Sequence, residues 1–133
     1  MSAADTPLPN LFSPLKIGRM EVANRIMMPG MGAGVMLDEH GAPTDDMLAY
    51  FVERAKARPG LMAIGASDVV PPEEVGATPL VQIYDDRAVP GLKRLVDAVH
   101  QYPVKFGIQT SNDGVQAAGR VKLSPSGIGP NAV

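Results

Sequence analysis

Three places in this chain hold residues that can do more than fold. The first is the run Pro29-Gly30-Met31-Gly32-Ala33-Gly34, which follows the apolar segment Ile26-Met27-Met28. Three glycines in this run leave amides exposed and let the backbone approach a flat ring or an anion closely. A flexible turn would use the same glycines, so the run by itself leaves both readings open. It is not a phosphate-binding Gly-rich signature, because no helix starts directly after it. The second place is Gly65-Ala66, at the end of an apolar run. Small residues there leave room for a ligand or for close packing. The third is Gln109, whose amide both donates and accepts and can read a flavin or nucleobase edge, or simply be solvated.

Other titratable residues point to surface or structural roles. Lys105 shares the polar side of its segment with Gln109 and would need a partner inside a barrel. His40 stands in the loop Asp38-Glu39-His40-Gly41, and His100 in the last turn of a helix, where positive charge is favoured. Asp85-Asp86 precede that helix and read as caps. No Ser-His-Asp set, paired carboxylates or His-rich metal pattern stands out.

The elements that must position these residues are legible from periodicity. Residues 1–10 read as a flexible lead-in, and 11–133 as one domain. Leu15-Lys16-Ile17 and Met20-Glu21-Val22 flank Gly18-Arg19 as a hairpin. Arg25–Met28 reads as a buried strand. Thr44 caps a helix that runs to about Arg58, with Met47, Leu48, Phe51 and Ala55 on one face. Leu61–Ala66 is apolar on both faces, as a parallel interior strand should be. Residues 67–88 read as a long loop. A second helix starts near Pro90, with Leu92, Leu95, Val96 and Val99 as its stripe. Val104–Gln109 alternates strictly as a third strand, and 110–133 shows no periodicity. Strand–helix–strand order means an α/β fold with parallel pairing and right-handed crossovers. The long Gly-rich loop Gly30–Pro43 and the loop 67–88 both follow strands and then lie at the C-terminal edge of the sheet, where such folds place their sites.

Composition narrows the function classes. The 133 residues carry a formal net charge of −2 with acids and bases interspersed, so neither a nucleic-acid stripe nor a membrane-binding basic cluster is expected. No apolar run approaches the ~20 residues that cross a bilayer. The absence of cysteine removes disulfides, thiolate nucleophiles and cysteine-ligated metals, and fits a cytoplasmic location. Eight methionines against three phenylalanines imply an adaptable core.

The fragments LFSPLKIGRMEVANRI, GAPT with YFVERAKARPGLMAIGA, IYDDRAVPGLKRLVDAVH, KFGIQ and SPSGIGPNA, in this order, carry a family resemblance. The chain resembles the N-terminal part of the Old Yellow Enzyme-like flavoproteins, particularly their 2,4-dienoyl-CoA reductase and enoate reductase branch. The resemblance implies the start of an FMN-binding (β/α)8 barrel with the hairpin as its floor. It also implies hydride transfer from NAD(P)H through FMN to an activated alkene. Carried over by position, the backbone of Pro29, Gly30, Met31 and Gly32 would touch the flavin ring. Ala66 and Gly65 would lie near it, and Gln109 would bond its pyrimidine edge. The elbow departs from the family pattern of a small residue, Pro and Met, and Asn112 and Val115 replace a His and an Arg. A full barrel takes ~250 residues and eight strands, whereas three strands are readable here. A second polypeptide or a homo-oligomer is therefore expected to complete the sheet. The phosphate site and the cysteines of any iron–sulfur cluster would lie beyond Val133. A non-catalytic accessory subunit with the same fold is the alternative.

Overall fold

The computed structural model describes residues 8–31, 36–71 and 80–112. The hairpin forms as read: β1 (Leu15–Ile17) pairs antiparallel with β2 (Met20–Val22), and Gly18 takes the left-handed turn at φ +60°. It is a sheet of its own. The second sheet contains β3 (Met27–Met28), β4 (Leu61–Asp68), β5 (Val81–Gln82) and β6 (Lys105–Ser111), and every pairing in it is parallel. Helix α1 (Asp45–Ala55) joins β3 to β4, and α2 (Val89–Val99) leads from β5 to β6. This is an open, parallel α/β sheet with two helices, as the alternation of elements implies, and it fits the partial barrel that the resemblance implies.

Several boundaries differ from the sequence reading. The first strand keeps only two residues. β4 runs on to Asp68 and β6 to Ser111, and β5 arises inside what reads as loop. Among the described residues four parallel strands are present where periodicity shows three. Two residues are too few to reveal a period, and β5 exists because Ser67 and Asp68 offer it an edge. The unpatterned tail is described only to Asn112, where its first residues extend β6.

β4 is the hub. At Leu61–Met62 it carries β3 and β6, and at Ser67–Asp68 it carries β5 and β6. β3 and β5 therefore share one edge of β4, separated by Ala63–Ala66. On its other edge the register steps from Ile64↔Ile108 to Ser67↔Thr110. Gly65 and Ala66 together thus face the single residue Gln109, which makes a bulge.

The core lies between the sheet and the helices. Met47, Phe51 and Ala55 of α1 and Leu95 and Val99 of α2 meet Met62 and Ile64 of β4. Phe51 is fully buried and meets Phe106 edge-on, with centroids 5.5 Å apart. Burying such a side chain contributes about 1.5–3 kcal/mol. Thr44 is the N-cap residue of α1, but its hydroxyl donates to the Met36 carbonyl at 2.7 Å rather than capping the helix. It fixes the incoming loop instead. Arg58, at φ +54°, turns the chain out of α1, and Pro59 ends the run.

One asparagine joins floor and sheet. Asn24 Oδ1 accepts from the amides of Ile26 (3.1 Å) and Gly60 (2.8 Å), and Nδ2 donates to the Arg58 carbonyl (2.9 Å). A Cβ at Gly60 would run into the Asn24 carbonyl oxygen, so glycine is required at this approach.

Candidate functional site

The alternation of strand residues divides the sheet into two faces. Met62, Ile64 and Phe106 pack toward the helices. Met27, Leu61, Ala63, Gly107 and Gln109 turn the other way and, with Pro29, Gly30 and Ile108, line a concavity of about 450 Å³. Met27 is 54% exposed on this face, and Lys105 is exposed as well. The buried partner expected for Lys105 is not needed, because this face is open.

Gly30, Gly65 and Gln109 converge here from three separate segments. A Cβ at Gly30 would overlap Gln109 Oε1 and stand 3.1 Å from its Cβ and Cδ. A Cβ at Gly65 would lie 2.7 Å from Gln109 Cβ and 2.8 Å from its carbonyl oxygen. Gly65 also has φ +148°, a conformation that L side chains rarely adopt. The two glycines thus clear the space in which the Gln109 side chain lies, and the bulge sets Gly65-Ala66 opposite it. The result is an amide with a donor and an acceptor, beside a mostly apolar hollow that spans the first half of β4, the middle of β6 and the elbow that follows β3.

The remaining expected residues fall around this centre. Pro29 lines the hollow. Ala66 is half-buried at the bulge. Met31 is exposed, and its side chain turns to the helix side, where it lines a second groove with Ile26, Met28, Arg54, Ala57 and Pro59. Only its backbone remains available to the hollow. Gly32 lies outside the described residues, as does Val115. His40 and His100 are exposed, and Asp85 caps a short 3-10 turn by accepting from the Arg87 amide at 2.8 Å. Arg87, bonded to the Asp85 carboxylate, also holds that carboxyl below its usual range. Among the described residues no group of three or more His, Cys, Asp or Glu could hold a metal, and no helix is long and apolar enough to cross a membrane.

Three features of the site escaped the sequence reading. Ala63 and Gly107 line the hollow, and the alternation already placed Gly107 on the Gln109 side. The loop after the elbow is also ordered. Asp38 Oδ1 accepts from the amides of His40 (2.8 Å) and Ala42 (2.9 Å), and Leu37 bridges Pro43. The Gln82 amide donates to the Gly41 carbonyl at 3.0 Å, which docks this loop on β5. An Asp two residues before a His and three before a Gly is the available signal for such an Asx turn. The third feature is Tyr50, whose hydroxyl donates to Met31 Sδ at 3.8 Å.

Comparison with known proteins places this geometry in a family. The model of the NADH:flavin oxidoreductase / NADH oxidase family matches residues 10–132. The chain belongs to this family. It is 30% identical over 128 residues to the NADH oxidase of Thermoanaerobacter brockii, covering 96% of this chain and 20% of that protein. It is 35% identical over 122 residues to the NADPH dehydrogenase of Listeria monocytogenes, covering 89% and 35%. Among solved structures, the Old Yellow Enzyme from Pichia superposes with a TM-score of 0.71 at 31% identity, over 81% of this chain and 28% of that one. The chain thus spans a fifth to a third of the length of these relatives, and its open sheet corresponds to the start of their barrel.

Proposed function

We propose that this chain forms the first part of an FMN-dependent reductase barrel that takes hydride from NAD(P)H and delivers it to an activated C=C bond. The observation that carries the reading is the convergence of Gly30, Gly65 and Gln109 on one hollow, in a chain of this family. The residues present suit one edge of a flavin. The hollow is mostly apolar, two glycines open it, and a single amide supplies a donor and an acceptor for a heterocycle's polar edge. When bound, FMN supplies the hydride chemistry. The chain's own residues bind and orient: the elbow offers close backbone approach, Ala63 and Gly107 keep the floor low, and Gln109 fixes the ring's edge.

The open face and the outer edge of β6, which no strand among the described residues covers, support a second proposal. The remaining strands come from another polypeptide segment or from a further copy of this chain, because closing a barrel removes such edges.

Purification of the chain under native conditions, with its mass and visible absorbance recorded, tests both. A yellow complex with a second polypeptide is the expected result. A colourless complex would favour a non-catalytic accessory subunit, and a yellow lone chain would remove the need for a partner. In a yellow complex, Gln109→Ala should weaken FMN retention or move its potential. No effect on either would exclude Gln109 from the site.

A further inference from the structure

We infer that Tyr50 is a positioning residue that holds the Pro29–Met31 elbow against Gln109, an inference that rests on the flavin reading above. The elbow has little of its own to hold it. Pro29 has no N–H to donate. Among the described residues, no backbone hydrogen bond of a turn or loop reaches Pro29, Gly30 or Met31.

Two side chains grip the elbow from opposite sides. On the hollow side, Gly30 lies against the Gln109 amide. On the helix side, Met31 Sδ accepts from the Tyr50 hydroxyl at 3.8 Å. Tyr50 itself is pinned by Arg54, whose guanidinium lies 3.2 Å from the ring centroid and whose Nη1 donates to the Tyr50 carbonyl at 2.7 Å. The Tyr50 ring meets Phe51 edge-on at 5.4 Å, and Phe51 meets Phe106 at 5.5 Å. Phe106 stands on β6, the strand that carries Gln109.

These contacts close a circuit. It runs from the elbow through Tyr50 and Phe51 to Phe106, along β6 to Gln109, and back to Gly30. Two edges of the hollow, borne by different strands, thereby take a fixed separation through α1. Such support decides whether contacting groups stay in register with a ring. A flavin contacted by both edges reports a shift of either one in its potential.

The test uses the chain in the complex with which it purifies, as wild type, Tyr50→Phe and Tyr50→Ala. Tyr50→Phe keeps the ring under Arg54 and loses only the hydroxyl, so it remains informative if Tyr50→Ala does not fold by far-UV circular dichroism. Two quantities are read: the flavin reduction potential, and the rate of Met31 sulfoxide formation in dilute peroxide relative to Met27 on the opposite face. Both variants should oxidise Met31 about two- to threefold faster, the size expected for losing a weak contact to sulfur. Both should shift the potential in one direction, the alanine further. An unchanged Met31 to Met27 ratio in the folded variants would overturn the inference, as would an unchanged potential in a yellow complex. A colourless complex whose Met31 protection still depends on Tyr50 would support the grip and refute the flavin reading instead.

Discussion

Gly30→Ala should displace the Gln109 side chain, and Gln109→Ala should remove most of the resulting cost. A methyl at position 30 would overlap Gln109 Oε1 and press on Cδ and Cβ, each at 3.1 Å. Gly30 is not among the glycines with positive φ, so alanine meets a steric cost there and no conformational one. The overlapping atom is the end of an exposed, flexible side chain. The cost therefore falls at the low end of the overpacking range, about 1 kcal/mol. In a Gln109→Ala background Oε1 and Cδ are absent and only Cβ remains near. The double variant should then be as stable as Gln109→Ala alone, which gives a coupling of about 1 kcal/mol. Urea unfolding followed by circular dichroism measures it, provided the slope stays constant across the four proteins. Effects that add within about 0.3 kcal/mol would refute the contact between elbow and amide.

Gly65→Ala should cost more, on the order of 3 kcal/mol, because it combines a disfavoured φ with overlap on Gln109 backbone. Gln109→Ala should not rescue it, and a rescue by urea midpoint would contradict the bulge geometry. Asn24→Ala should lower stability by about 1–3 kcal/mol, since the Ile26 amide and the Arg58 carbonyl lose this partner and the Gly60 amide is left with the Ile26 carbonyl. A change in midpoint below experimental error would show the floor to be held otherwise. The Asp38 carboxyl is held below its usual range, chiefly by the Ala42 amide and also by the His40 amide. Its folded value lies below its unfolded one. The stabilisation is therefore full above the ordinary carboxylate range and is lost as pH falls through the depressed value. Asp38→Asn should flatten the acid limb of a stability-against-pH curve, and an unaltered limb would contradict this.

The parts of the fold that sequence reveals are those with several turns or residues of repeated pattern. The faces of α1 and α2 emerge where the spacing of Met47, Phe51, Leu95 and Val99 puts them. β5 does not, because two residues have no period and its partner, β4, is far in sequence. The Thr44 hydroxyl illustrates a different limit. Residue type predicts a cap, but a carbonyl eight residues earlier competes for the same donor and wins. At the site, glycines in the elbow and a Gly-Ala pair in a strand signal close approach without saying to what. That both close on Gln109 depends on a register step in β4 that no local pattern records. The Tyr50 contact is equally silent, since a tyrosine beside a core phenylalanine reads as helix surface.

The way β4 is shared has a consequence for how this molecule opens. Among the described residues, β3, β5 and β6 are each paired to β4 and to no other strand. Neither β3, β5 nor β6 can hold another strand once β4 lets go, so the larger sheet should melt as one cooperative unit. The β1–β2 hairpin belongs to a separate sheet. It is tied to the main body through Asn24, which bonds Gly60 and Arg58, and its Met20 and Glu21 border a groove shared with Tyr102 and Lys105. Hydrogen exchange should therefore resolve two classes of amide: hairpin protons that exchange early through local opening, and β4 and β6 protons that exchange late and together. The floor can be lifted while the hollow above it keeps its shape.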